Sequence, residues 1–226
     1  MKAMGIESLQ LADCPSYDEE KLSALAVHAR DVYDRAKRFD TLKDALAASS
    51  LSVGFTRRTG EKRKTSIRSL GEFAASLGKE ASVPLALVFG NERTGLSDEE
   101  LCECSLSVYI PTSEACPSLN VSQAVQIVCY ECARTISASI RHEGTNLVEN
   151  IPAFPTKSCI EAEVEKILLL LHRKGFFRKS GDEYARQFIR DLLQRARIQK
   201  TELDWFGAFI RKIAAVSDNP SPRTRK

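Results

Sequence analysis

Two spacings of apolar residues alternate along the chain, and together they divide it into strands and helices. Ile6-Glu7-Ser8-Leu9-Gln10-Leu11-Ala12 repeats at every second position, the period of a half-buried strand. Residues 19–29 place Leu22, Leu25 and Ala26 at helical spacing. Thr41 stands as an N-cap ahead of a short helix through Leu46. Leu51-Ser52-Val53-Gly54-Phe55-Thr56 reads as a second strand, ending at Arg57. Ser66 to Leu77 reads as a helix with Ile67, Leu70, Phe73 and Ala74 on one face. The continuous apolar run Pro84-Leu85-Ala86-Leu87-Val88-Phe89 predicts a buried parallel strand. Leu106 to Ile110 predicts a last short strand. Asn120 to Ile136 predicts a long helix with Val121, Ala124, Val125, Val128 and Cys132 inward. Strands alternating with helices over residues 1–140 predict an α/β domain with a parallel sheet. In open sheets of this kind the ligand crevice lies at the carboxyl ends of the strands.

From Arg141 the periodicity lapses, and Gly144, Asn146, Asn150, Pro152 and Pro155 mark a linker over 141–158. Three helical patterns follow with no strand among them, at about 160–175, 181–198 and 201–216. They predict a small all-helical domain over 159–217. The tail, 218–226, holds two Pro with Arg223, Arg225 and Lys226 and is expected to be a disordered basic end.

Composition narrows the class. Apolar residues are 43% and charged residues 28%, shares that exclude a collagen-like or intrinsically disordered chain. Seven Cys, an odd and scattered set, fit reduced cytoplasmic thiols better than a disulfide framework. No apolar run approaches the roughly 18 residues a membrane helix needs. The first residues lack the apolar core of a secretory signal. The net charge of +3 conceals an asymmetry. Residues 151–226 carry 16 Lys and Arg against 9 Asp and Glu, a net +7; residues 1–150 carry 17 against 21, a net −4. A basic C-terminal part on a nearly neutral body predicts a polyanion partner.

Candidate chemistry is densest in Val88-Phe89-Gly90-Asn91-Glu92-Arg93-Thr94-Gly95-Leu96, followed by Ile110-Pro111 and then Ser118-Leu119-Asn120. Gly90 and Gly95 permit a sharp backbone path at a strand end. Ser118 and Asn120 precede a helix, where backbone N–H groups point outward and polar side chains cap. The local pattern alone is equally compatible with a glycine turn and an ordinary N-cap. Linked in order, however, "LVFGNERTGLSDEEL" and "IPTSEACPSLNVSQAVQIVCYE" resemble motifs two and three of the SpoU-type branch of the SPOUT methyltransferases. Within that branch the nearest likeness is to the TrmJ type, which methylates a ribose at nucleotide 32 of the tRNA anticodon loop. "MKAMGIESLQLAD", "DTLKDALAASSLSVGFT" and the helical stretch Ala162–Ile213 fit that type as well, the last most weakly.

The resemblance implies several expectations. The α/β domain would carry a deep trefoil knot and form a homodimer. It would use S-adenosylmethionine to methylate a tRNA ribose 2′-oxygen, with no metal and no membrane involved. Phe55, Thr56, Arg57, Gly90, Ile110, Pro117, Ser118 and Leu119 would bind the cofactor. Glu92, Ser118 and Asn120 would line the reaction centre. Two departures accompany it. The family's first motif places a catalytic Arg and an upstream Asn ahead of the "MKxMG" segment, and Met1 falls two positions after where that Arg would stand. A catalytically impaired RNA-binding protein on the same scaffold is therefore the alternative. Asn91 and Cys116 stand where TrmJ-type chains often carry a basic and an aromatic residue.

Residues 57–68 are rich in Lys and Arg. A solvated charge run would explain that composition alone. Their place after a strand leading to the crevice favours phosphate contact through Arg58, Lys62, Arg63 and Lys64. In the helical part, Arg173, Lys174, Arg178, Lys179, Arg186, Arg190, Arg195 and Arg197 are further candidates for tRNA contact. Cys129 and Cys132 have a zinc-like spacing, but they fall mid-helix on an apolar face, where Cys acts as a small hydrophobe.

Overall fold

The structure is a computed structural model that describes residues 1–57, 67–77, 84–115, 118–143, 154–177 and 182–216. It divides into two compact units, Met1–Ile151 and Pro152–Lys226.

In the first unit four parallel strands form one sheet in the order β4-β6-β3-β5. Their ranges are Leu51–Phe55 (β3), Ile67–Ser69 (β4), Leu85–Val88 (β5) and Leu106–Tyr109 (β6). Two shorter strands, Gln10–Ala12 (β1) and Lys37–Phe39 (β2), pair in parallel as a second sheet. β3 lies inside the larger sheet and is buried at all five positions. Its residues alternate between two cores. Leu51, Val53 and Phe55 face one cluster with Leu70, Phe73 and Leu77 of helix α4 (Leu70–Leu77) and Val128 and Cys132 of helix α6 (Val121–Glu143). On the other side Leu46, Val88, Leu96, Leu101 and Cys104 form a second cluster, with helices α3 (Leu42–Leu46) and α5 (Asp98–Glu103). Gly54 faces this second core. A Cβ there would meet Leu101 Cδ2 at 2.9 Å and Cys104 Sγ at 3.0 Å, so α5 packs this closely only against a glycine.

Several sequence-based expectations change in detail. The strand over 6–12 contracts to Gln10–Ala12. Its partner β2 escaped notice because Lys37 and Arg38 are exposed and leave no alternation to read. The helix over 19–29 breaks after α1 (Glu19–Ala26), where Val27 adopts φ 39°; α2 (Arg30–Asp34) follows a 3-10 turn. Leu25, read at helical spacing with Leu22 and Ala26, is exposed. Arg30 spans the break, donating to Ser23 and Asp34 at 2.7 Å each and to Glu19 at 2.5 Å. The helix over 66–77 starts only at Leu70, because Ile67–Ser69 pairs with β6 as strand β4. The boundary is a reciprocal cap. Glu72 N–H donates to Ser69 Oγ, and Glu72 Oε2 accepts from Ser69 N–H at 2.8 Å. β5 is the sheet edge, so Leu85, Ala86 and Leu87 are half-buried and only Val88 is buried.

The second unit is helical where described: α7 (Lys157–Arg173), α8 (Asp182–Ala196) and α9 (Lys200–Val216). α7 packs on both of the others through Ile160, Val164, Leu168, Leu193 and Leu203. Acidic residues of α7 each meet an arginine of a neighbouring helix. Glu161 pairs with Arg190 at 2.5 Å, Glu163 with Arg211 at 2.7 Å, and Glu165 with Arg186. Arg186 and Arg190, read from sequence as RNA contacts, are thus committed to helix packing, and Arg190 is buried. Arg197 lies over the Phe154 ring at 5.3 Å. Arg173 and Arg195 are exposed, while Arg178 and Lys179 lie outside the described residues.

Candidate functional site

The carboxyl ends of β3, β5 and β6 open on a cavity of about 320 Å³, near the lower end of small-molecule sites. β3 contributes Phe55, Thr56 and Arg57. β5 continues into the loop Phe89–Leu96, and Ile110 and Thr112 follow β6. The fourth wall is the amino end of α6, with Ser118, Leu119, Val121 and Ala124.

Each wall has a local cause. The Phe55 ring stacks on Phe89 with centroids 4.8 Å apart and planes within 11° of parallel, forming an apolar floor. Gly90 is required where it stands, because a Cβ would overlap the Gly95 carbonyl and the Leu96 nitrogen. The loop folds back so tightly because Gly95, at φ 69°, donates its N–H to the Asn91 carbonyl at 3.0 Å. Leu96 then returns to the buried second core.

The start of α6 is capped on every side. Asn120 Oδ1 accepts from Ser122 N–H at 2.9 Å and Ser122 Oγ at 2.6 Å. Gln123 Oε1 accepts from Asn120 N–H at 3.3 Å. Glu92 Oε2 accepts from Val121 N–H at 3.1 Å, across from the other wall. These bonds satisfy N–H groups that a helix start leaves without intrahelical partners. With Oδ1 so occupied, what Asn120 offers a ligand is its Nδ2–H, a donor.

Of the positions expected to bind cofactor, Phe55, Thr56, Arg57, Gly90, Ile110, Ser118 and Leu119 line this one cavity, joined by Glu92. Asn120 adjoins it as the α6 cap. Pro117 lies outside the described residues, as do Arg58, Lys62, Arg63 and Lys64. Sequence reasoning missed Phe89, Asn91 and Thr94 as lining residues. Asn91 had a readable signal, since an Asn beside a glycine at a strand end favours an Asx turn, in which its side chain accepts from the N–H two residues on, here Arg93. Cys129 and Cys132 are buried in the α6 core. Burial, with the neighbouring Cys129 and Glu131 adding to it, pushes the Cys132 thiol up to about 12, so it sits there as a neutral hydrophobe. Among the described residues no cluster of His, Cys, Asp and Glu is arranged to hold a metal ion. No helix among them is long and apolar enough to cross a membrane.

A site at strand ends with a glycine-backed loop and a polar helix start defines an α/β small-molecule enzyme of the kind that residues 1–130 match by family model: the SpoU rRNA methylase family. The chain belongs to the SpoU methylase family, and it is a methyltransferase whose methyl donor is S-adenosylmethionine. It is 30% identical over 233 residues to the tRNA (cytidine/uridine-2′-O-)-methyltransferase TrmJ of Sodalis glossinidius, covering 99% of this chain and 88% of that protein. It is 32% identical over 211 residues to TrmJ of Escherichia coli K12, covering 90% and 82%. Among solved structures, TrmJ from Z. mobilis ZM4 shares the fold with a TM-score of 0.72 at 20% identity, covering 97% of this chain and 90% of that one. A probable methylase family protein from Haemophilus influenzae Rd KW20 has a TM-score of 0.58 at 25% identity, covering 97% and 89%.

Proposed function

We propose that this chain transfers a methyl group from S-adenosylmethionine to the ribose 2′-oxygen of nucleotide 32 in the tRNA anticodon loop. The observation that carries the proposal is the cavity at the strand ends, lined by seven of the eight cofactor positions the resemblance implies, with Ser118 on its α6 wall. The TrmJ relatives, named for 2′-O-methylation of cytidine and uridine in tRNA, support the substrate.

The lining suits the donor. Stacked Phe55 and Phe89, with Ile110 and Leu119, present an apolar surface for an adenine ring. Gly90 brings bare backbone to the cavity wall, where a side chain would collide. Thr56, Arg57 and, by resemblance, Pro117 complete the set. S-adenosylmethionine supplies a methyl group already activated on a sulfonium, so the protein's work is alignment. Ser118 Oγ–H and Asn120 Nδ2–H orient the ribose hydroxyl by hydrogen bonding, and Glu92 holds the wall beside them. In-line displacement at a sulfonium needs no Lewis acid.

Arg58, Lys62, Arg63 and Lys64, which lie outside the described residues, contact tRNA phosphates. The helical residues expected over 159–217 form an RNA-binding extension. α6 runs on to Glu143 and α7 starts at Lys157, so the expected 141–158 linker narrows to the residues between them, of which 144–153, like the 218–226 tail, lie outside the described residues. A deep trefoil knot in the α/β domain, a homodimer and a cytoplasmic location belong to the same proposal. The test is primer extension at limiting nucleotide on unmodified tRNA incubated with the protein and S-adenosylmethionine. A new stop reporting a 2′-O-methyl at nucleotide 32 is expected; a stop elsewhere alone would overturn the position.

A further inference from the structure

Asn91 and Glu92 stand next to each other on the 90–96 loop and do different things. The Asn91 side chain points back into the loop. Its Oδ1 accepts three hydrogen bonds, from Arg93 N–H at 3.0 Å, Thr94 N–H at 2.8 Å and Thr94 Oγ at 3.0 Å. The Gly95 N–H to Asn91 carbonyl bond closes the same turn. A loop of this length with one acceptor at its centre has its shape set by that acceptor. Glu92 points the other way and reaches the Val121 N–H at 3.1 Å, 29 residues on. A carboxylate there also meets the positive end of the α6 dipole.

We propose that Asn91 and Glu92 form a latch that couples two walls of the cofactor cavity, with Glu92 a positioning residue that acts through α6 rather than on the ligand. Asn91 fixes the direction in which Glu92 leaves the turn. Glu92 pins the turn to the first N–H of α6, and thereby sets the spacing between Gly90 on one wall and Ser118, Leu119 and Asn120 on the other. Along the chain the two walls are 29 residues apart, by way of α5 and β6, and the Glu92 carboxylate ties them directly. The inference rests on reading the cavity as the S-adenosylmethionine site.

The two roles open to Glu92 differ in one measurable respect. A carboxylate acting on the ligand would favour cationic S-adenosylmethionine over neutral S-adenosylhomocysteine. A latch does not distinguish them, and it needs an acceptor oxygen rather than a charge. Calorimetry with both ligands on the full chain separates the two. Glu92→Ala and Asn91→Ala each weaken both ligands by roughly tenfold, the scale of one lost charged hydrogen bond. Glu92→Gln and Asn91→Asp, which keep the acceptor, stay within about threefold of wild type for both ligands. Because the two residues are one device, the Asn91→Ala/Glu92→Ala double variant is little worse than either single variant. Both positions are exposed, so these variants keep their cores intact.

Amide hydrogen exchange gives a readout that needs no ligand. Val121 N–H exchanges faster in Glu92→Ala and in Asn91→Ala, and at the wild-type rate in Glu92→Gln. A Glu92→Gln protein that loses S-adenosylmethionine selectively, an additive double variant, or unchanged Val121 exchange in both alanine variants overturns the latch. Wild-type protein that binds neither ligand overturns the cofactor reading instead, and Val121 exchange then still decides whether the two walls are tied.

Discussion

Asn120 divides its side chain between the helix and the cavity. Oδ1 is taken by Ser122, which leaves the amide Nδ2–H to act on a ribose. The two roles come apart by substitution. Asn120→Asp keeps an N-cap acceptor as good as Asn and adds charge favoured at a helix start, but removes the donor. It should melt at the wild-type temperature and transfer methyl roughly 10²-fold more slowly, the scale of a lost positioning group. Asn120→Ala should lose the same rate and also about 1 kcal/mol of stability. Thermal melts beside initial rates check both, and Asn120→Asp working at the wild-type rate would refute the donor role. At this scale the sequence was partly legible. Gly90, Gly95 and Asn120 declare themselves because few residue types tolerate a sharp turn or cap a helix. The Glu92 contact with Val121 was hidden, because it joins residues 29 apart that only the folded sheet brings together.

Helices and strands were legible in proportion to how much of their surface is buried in a regular pattern. β3, buried throughout, stood out, as did α6 with its inward stripe. β2 and β4 did not, being three-residue strands whose pairing is decided by neighbours rather than by their own alternation. In the helical unit the apolar faces of the three helices were readable, while the pairing of α7 carboxylates with arginines on α8 and α9 was not. That pairing has a pH signature. Burial alone would raise the Glu163 carboxyl, but hydrogen bonds from Lys166 at 3.0 Å and Arg211 at 2.7 Å, with their charges, bring it below its ordinary 4.5. A carboxyl depressed in the folded state contributes stability above the unfolded value, and that contribution is lost as pH falls through the folded one. The helical unit should therefore weaken on acidification below about pH 4.5. Glu163→Gln should be less stable near neutrality and show a shallower loss over that window. Trp205, the single tryptophan, lies on α9 and reports the unit by fluorescence during urea unfolding at each pH. A Glu163→Gln variant with the wild-type acid limb would contradict the assignment.

For the whole molecule, charge and chemistry are divided between the two units. The cavity lies in Met1–Ile151, while residues 151–226 carry the net +7. A chain ending at Asn150 should stay folded and bind S-adenosylhomocysteine as the full chain does. It should lose much of its tRNA affinity and of the salt dependence of that affinity, measured by filter binding across a salt series. Equal affinity at every salt concentration would remove the RNA role of the helical unit. The α/β class and the helical end were legible from periodicity. The knot and dimer that the resemblance implies would leave no periodic trace, since both concern how segments pass or meet in space. The central claim is that this cavity delivers a methyl group to a tRNA ribose. Its most direct test is transfer of tritium from methyl-labelled S-adenosylmethionine to unmodified tRNA by the full chain, with Gly90→Val alongside, followed by alkaline digestion. The account predicts label from the wild-type protein alone, recovered in alkali-resistant dinucleotides. Label on a base, equal label from Gly90→Val, or no transfer by protein that binds S-adenosylhomocysteine would contradict it.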